Sequence, residues 1–111
     1  MNEGKLLNAK IILADYYYIG HLNSGSLRLV LAGDGWQVCT IPTDPYGYND
    51  LFRVCDINAE DGVCFSSLTG KYCRVQFDEN DKVSALYHIV NDNIVFHPRP
   101  ETDGRDPVIK G

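Results

Sequence analysis

The stretch GKYCRVQF, residues 70–77, places a tyrosine and an arginine on one face of a predicted β-strand. Side chains alternate across a strand, so Tyr72 and Arg74 face away from the apolar side that Cys73 and Val75 form. A guanidinium group grips a phosphate through two parallel hydrogen bonds, and an aromatic ring stacks on a planar group. The pair therefore suits a planar, anionic ligand, whereas a solvated outer sheet face is the alternative.

Arg28 offers the same chemistry on a second predicted strand. In LRLVLA, residues 27–32, leucines alternate with Arg28, which then lies on the less apolar face. The motif GDGW brings Asp34 close to Trp36 and so sets a carboxylate near an aromatic ring. A turn-forming aspartate followed by a tryptophan that anchors the core is the simpler interpretation of that motif.

Tyrosine is used seven times in the chain. Tyr17, Tyr18, Tyr46 and Tyr48 are predicted to lie in or beside loops, where a large ring with a hydroxyl suits recognition of a base or ribose. The alternative is that some of these rings wall a small core.

Motifs of enzymes and metal sites are missing from the sequence. There is no glycine-rich phosphate loop, no H-E-x-x-H and no G-x-S-x-G, and the carboxylates of QFDENDK are predicted to form a hairpin tip. The four cysteines include no C-x-x-C pair, and the three histidines show no ligand spacing. We expect a protein that is not an enzyme and needs no cofactor or metal.

Length, composition and charge indicate one intracellular domain. The chain has 111 residues, of which 44% are hydrophobic and 23% charged. A net charge of −5 argues against binding to duplex nucleic acid, which requires basic side chains to displace counterions. No apolar run is long enough to span a bilayer and no secretory signal is visible, so a cytoplasmic protein without membrane partners and with reduced cysteines is expected.

The predicted elements form an α+β fold, a mainly antiparallel β-sheet of about six short strands with one short helix. Strands are predicted over residues 5–14, 27–32 and 36–41, and strand 71–77 and segment 82–90 form a hairpin around DEND. Asn49 or Asp50 is predicted to cap a helix through LFRVCDI, and IVFH forms a last short strand. Residues 1–97 are predicted as the domain, and 98–111, rich in proline and glycine, as an exposed tail.

The order of these motifs resembles small phage and prophage proteins of the anti-Thoeris sponge type. The matching segments are GHLNSGSLRLVLAGDGW at 20–36, GVCFSSLTGKYCRV at 62–75 and IVNDNIVFHP at 89–98. That family binds cyclic ADP-ribose-type signals, and in some members cyclic oligonucleotides, and so starves bacterial immune effectors. Where the family carries a glycine-rich run after the tryptophan, this chain reads QVCTIPTDPYG.

The resemblance implies a phage- or prophage-encoded anti-defence protein, in the cytoplasm of a bacterial host cell, that sequesters a nucleotide-derived signal without turnover. Aromatic side chains would sandwich the base, and Arg74 with Arg28 or Lys71 would neutralise the phosphates. A homodimer or higher homo-oligomer would complete the site, because one small protomer offers few deep pockets. The expected ligand-binding residues are Tyr17, Tyr18, Arg28, Trp36, Tyr48, Lys71, Tyr72 and Arg74.

A second hypothesis is an acidic protein-binding inhibitor, such as an anti-CRISPR-like factor, that docks on a basic nucleic-acid channel. A third is an enzyme that cleaves cyclic nucleotides. The distribution of charge separates the first two. A concave aromatic pocket with convergent arginines favours the sponge, and a clustered acidic face favours the inhibitor. The carboxylates expected on that acidic face are Asp44, Asp50, Asp56, Glu60 and Asp61.

Overall fold

A computed structural model describes residues 5–42 and 47–98 of the chain. Its six described strands form one antiparallel sheet in the order β3-β2-β1-β4-β5-β6. The strands are β1 (Leu6–Ile19), β2 (Ser24–Gly33), β3 (Trp36–Thr40), β4 (Tyr72–Phe77), β5 (Val83–Tyr87) and β6 (Val95–Phe96). One α-helix, α1 (Asn49–Val54), and two 3-10 helices, Gly20–Leu22 and Phe65–Leu68, complete the described elements. The predicted α+β class, mainly antiparallel sheet with one short helix, is confirmed.

Strand β1 is much longer than the sequence predicts and lies at the centre of the sheet. It pairs with β4 over Leu6–Lys10 and with β2 as far as Ile19. Tyr17 and Tyr18 therefore lie within a strand, and their predicted position in a loop is wrong. The physical reason is that β2 continues to pair with β1 through the whole tyrosine run, whose aromatic residues favour strands.

The core lies on one face of the sheet, called here the inner face. The predicted alternation is confirmed, because the three leucines of β2 are fully buried, as are Cys73 and Val75 of β4. Leu51 and Val54 of α1 pack into the same cluster, as does Leu68. The opposite, outer face carries exposed apolar side chains and is covered by no described helix. The exposed apolar residues of the outer face are Ile12, Leu13, Tyr17 and Tyr72.

The sheet curls around this core until distant strands touch. Trp36 of β3 meets Phe77 of β4 edge-to-face, with ring centroids 5.4 Å apart, although β2 and β1 lie between those strands. Gly33 makes room for the indole, because a Cβ built there would lie 2.2 Å from the Trp36 ring. The simpler interpretation of Trp36, that it anchors the core, agrees with this packing.

Helix α1 begins and ends differently from the prediction. Its N-cap is Tyr48, and no side-chain hydrogen bond caps it, so the predicted cap at Asn49 or Asp50 is wrong. The helix ends at Val54 and not at Ile57. Asp56 adopts a left-handed conformation, with φ of 60°, and Ile57 donates its backbone N–H back to the Phe52 carbonyl, which closes the last turn.

The predicted hairpin is confirmed as β4 and β5, which Asp78 joins by accepting hydrogen bonds from the backbone N–H groups of Asn80 and Lys82. Strand β5 ends at Tyr87, before the predicted end, because the chain bends at residues 89–90. Three predictions, for Asp44, Tyr46 and the tail beyond Pro98, fall on residues outside the described ranges. Among the residues described, no helix is long and apolar enough to cross a membrane.

Candidate binding surfaces

The residues predicted from the sequence to bind a ligand divide between the two faces of the sheet. Tyr17, Arg28, Tyr72 and Arg74 share the outer face, as the pairing of β1 with β2 and β4 requires. Trp36, Tyr48, Tyr18 and Lys71 do not lie with them. No single pocket of the described residues therefore holds all eight side chains.

Arg28 belongs to a compact cluster with residues of β1. Its Nε and Nη2 donate to the two carboxylate oxygens of Asp15, at 3.0 and 2.6 Å, and its guanidinium lies 4.8 Å from the centre of the Tyr17 ring. The hydrogen bonds to Asp15 raise the pKa of Arg28 above its ordinary value. An anionic ligand would have to compete with Asp15, so Arg28 is oriented but already neutralised.

Arg74 holds a turn of its own chain. Its Nε and Nη2 donate to the backbone carbonyl of His88 at 3.0 and 2.8 Å, and Nη2 also pairs with the carboxylate of Asp92. Only 18% of the Arg74 side chain is exposed. These bonds fix the segment after β5 against the outer face and give Arg74 a structural role that the alternation pattern does not reveal.

The two arginines do not converge. Arg74 pairs with Asn8 and Arg28 with Asp15, seven residues apart along β1, which corresponds to about 20 Å. The Lys10 Nζ lies 5.7 Å from the centre of the Tyr72 ring. The outer face thus carries two separate pairs of a cation and an aromatic ring, Arg28 with Tyr17 and Lys10 with Tyr72.

Tyr48 and Trp36 are partly buried and pack against the core. Tyr48 packs edge-to-face on Phe65 and donates its hydroxyl to the Pro42 carbonyl at 3.1 Å. Lys71, just before β4, lies near the buried thiol of Cys55. Tyr18 is 60% exposed, and its hydroxyl donates to the Asn23 side chain at 2.7 Å.

A groove lies on the helix side of the molecule, away from the outer face. It encloses about 610 Å³ between α1, the loop after it and the segment before β6. Ile57, Ala59 and Ile94 supply its apolar surface. Its polar lining comes from Asn49, Arg53, Asp56, Asn58 and Glu60. The sequence predicted Asp56 and Glu60 only as part of an acidic face. Apolar residues lie between them in the chain, but these indicate a groove only when Ile94 is known to lie beside them.

Asp56 is held at the edge of this groove by His88. The His88 ring donates from Nε2 to both carboxylate oxygens of Asp56, at 2.9 and 3.0 Å, while 73% of the Asp56 side chain stays exposed. The His88 Nδ1 accepts hydrogen bonds from the backbone N–H groups of Val90 and Asn91. Because Nδ1 accepts these hydrogen bonds, Nε2 is the ring nitrogen that donates to Asp56, whose carboxylate points largely into solvent.

The segment that forms the groove is predominantly acidic. Residues 49–61 carry four carboxylates and a single cation, Arg53, whose Nη1 pairs with Asp50 at 3.1 Å. Glu60 is exposed and its backbone N–H is held by the Asn58 side chain, which fixes the loop on which it lies. The groove therefore presents apolar surface inside an acidic rim.

Two of the four cysteines are buried, and burial suppresses their reactivity. Burial raises the pKa of Cys55 to about 11 and that of Cys73 to about 12. All four cysteines are free, and Cys39 and Cys64 are exposed. Among the residues that the structure covers, no group of three or more potential metal ligands comes together.

Comparison with family models, with curated proteins and with solved structures finds no match to this chain. The resemblance to the anti-Thoeris family therefore stays a prediction that rests on the short sequence motifs. The candidate surfaces must be argued from their own geometry.

Proposed function

We propose that this chain is a non-catalytic binding protein whose helix-side groove docks on a basic segment of another protein. The observation that carries the proposal is the groove itself, in which Asp56 and Glu60 flank apolar side chains. Alternating apolar and cationic side chains of a partner would fill such a groove, because the aliphatic parts of Arg and Lys pack on apolar surface while their charges meet carboxylates.

The charges of the molecule support this assignment over an anion site. The net charge of −5 steers basic partners towards the protein, and the Asp56 carboxylate is positioned by His88 while 73% of its side chain stays exposed. By contrast, Arg28 and Arg74 are each paired with a carboxylate and lie far apart. The partner class that fits is a protein with a basic nucleic-acid-binding surface, and the binding would block that surface.

A titration with a fluorescein-labelled peptide of alternating arginine and alanine tests the proposal. Fluorescence anisotropy is expected to show binding that weakens as salt increases. Glu60→Lys is expected to weaken it about tenfold, because an attraction at the groove becomes a repulsion. Glu79→Lys, at the exposed tip of the β4–β5 hairpin, makes the same change in net charge away from the groove.

The comparison of these two variants decides the outcome. A groove site predicts that Glu79→Lys binds the peptide nearly as well as the unmodified protein. Equal losses in both variants would mean that only bulk charge attracts the peptide, and the proposal would then be wrong.

A second candidate function is sequestration of a nucleotide-derived immune signal, as the sequence resemblance suggests. The observation that favours it is the pair of cation–aromatic contacts on the outer face, Arg28 with Tyr17 and Lys10 with Tyr72. A base would stack on one of these rings, and its phosphate would displace Asp15 from Arg28. Native mass spectrometry of protein purified from cells that make such signals would show a retained nucleotide, lost in Arg28→Ala.

Either function suits a phage- or prophage-encoded protein that acts against host defence in the bacterial cytoplasm. Neither needs turnover. Experiments can distinguish the two functions, because one uses the helix-side groove and the other uses the outer face.

A further inference from the structure

We infer that the outer face is a self-association surface, on which a second copy of this chain packs sheet against sheet about a two-fold axis. The centre of the interface is the β-bulge of β1, where Ile12 is the extra residue and Leu13 lies opposite Val30 of β2. The inference does not depend on the proposed function, since the groove lies on the other side of the sheet.

The centre of the outer face is apolar and exposed. Ile12 is 40% and Leu13 37% exposed, and Val30 between β1 and β3 is half-buried. Cys39 of β3, which pairs with Val30, extends the patch to the edge of the sheet. Single exposed apolar residues are ordinary, but a row of them across three adjacent strands is typical of an interface.

The charges of the outer face complement those of a second copy in antiparallel orientation. Lys10 lies at one end of the apolar centre and Asp15 at the other, and both are at least partly exposed. A two-fold axis between Ile12 and Leu13, running across the strands, exchanges these positions. Lys10 of each protomer then meets Asp15 of its partner and joins the ion pair that this Asp15 makes with Arg28 of its own chain.

The distribution of acidic residues supports a second copy as the occupant. Asp15 is the only acidic residue within the six described strands of a chain with a net charge of −5. Lys10 makes no ion pair among the described residues and only lies over the Tyr72 ring. The described strands thus present few acidic side chains, so two copies can approach along them with less repulsion than the net charge of the chain would otherwise cause.

The axis predicts which residues meet their own copies. Because the bulge lies opposite Val30, and Val30 opposite Cys39, the axis passes near both residues. Packed sheets lie about 10 Å apart, which leaves the two Cys39 thiols within reach of a short bis-maleimide cross-linker. The helix-side grooves face outwards in this dimer, so each stays accessible.

Analytical ultracentrifugation of the full chain tests the interface. The unmodified protein is expected to dimerise, Leu13→Asp to be monomeric, and Lys10→Glu to show a dissociation constant about tenfold weaker, since two attractive contacts become repulsive. Lys82→Glu, on the β4–β5 turn, makes the same charge change away from the face and should leave the constant unchanged. Circular dichroism establishes that each variant is folded.

Cross-linking adds a readout that does not depend on stability. A short bis-maleimide should yield a covalent dimer in the unmodified protein and in Cys64→Ser, but not in Cys39→Ser. A monomer at every concentration overturns the inference. A dimer that survives Leu13→Asp and is not cross-linked through Cys39 also overturns it, because self-association would then use another surface.

Discussion

Arg28 and Arg74 show how two arginines with the same sequence pattern acquire different roles. Both lie mid-strand and alternate with buried residues, which the sequence shows. Their partners do not follow from the alternation, because Asp15 is contributed by a neighbouring strand and the His88 carbonyl by a turn after β5. Residue type therefore indicates the chemistry available, whereas the partner decides whether that chemistry is free to act on a ligand.

Arg74→Ala is expected to lower the free energy of unfolding by about 1–2 kcal/mol, because it removes the hydrogen bonds that hold His88 and Asp92. Chemical denaturation measures the change, and hydrogen exchange should show faster exchange in the turn after β5. Arg53→Ala is the control. Its ion pair with Asp50 is largely exposed, so the loss should stay below about 0.5 kcal/mol. Equal effects of the two changes would contradict the structural role of Arg74.

Cys73→Ser is expected to lower the free energy of unfolding by about 1–3 kcal/mol, because it buries a hydroxyl without an available partner on the fully buried inner side of β4. Cys39→Ser, on exposed β3, should change it little in dilute protein, where dimerisation does not contribute. Urea denaturation distinguishes the two. A silent Cys73→Ser together with a costly Cys39→Ser would mean that the inner and outer faces have been interchanged.

At the scale of elements, the alternating strands were predictable and the long ones were not. The β4–β5 hairpin and the buried side of β2 follow from apolar periodicity and the polar turn at residues 78–81. The extension of β1 through its tyrosines depends on pairing with β2, and the end of α1 depends on the left-handed Asp56. The length of β1 and the end of α1 therefore depend on strand pairing and on one backbone conformation, which the local sequence does not show.

Gly33→Ala tests the contact that curls the sheet. The added Cβ would lie 2.2 Å from the Trp36 ring, so the indole must move off Phe77. We expect a loss of about 1–3 kcal/mol in the free energy of unfolding and a changed emission from the one tryptophan of the chain. Gly20→Ala is the matched control, because nothing lies within 4 Å of its added Cβ. Unchanged tryptophan emission in Gly33→Ala would contradict the packing.

At the scale of the whole molecule, the two sides of the sheet differ in charge. Asp56 and Glu60 of the acidic segment 49–61 line the helix-side groove, and the six described strands carry a single acidic residue. The sequence shows the acidic segment, but its apolar neighbour Ile94 is more than thirty residues away in the chain. For that reason the sequence predicts the acidic charge of this region but not the groove.

Deletion of residues 101–111 is expected to leave the thermal midpoint within a few degrees, because the tail from residue 98 onward, with three prolines and two glycines, has a composition that disfavours regular pairing. Differential scanning calorimetry of the full and shortened chains measures the shift. A drop much larger than a few degrees would show that this segment stabilises the fold and that the domain does not end near residue 97.

The central claim is that the helix-side groove is the binding surface, and amide chemical-shift mapping tests it most directly. In ¹⁵N–¹H spectra recorded during titration with the alternating arginine–alanine peptide, saturable shifts are predicted for Asn49, Arg53, the loop from Asp56 to Glu60, and Ile94. The outer-face amides near Tyr17 and Arg28 should stay still. Saturable shifts confined to the outer face, or no saturable shifts at all, would contradict the claim.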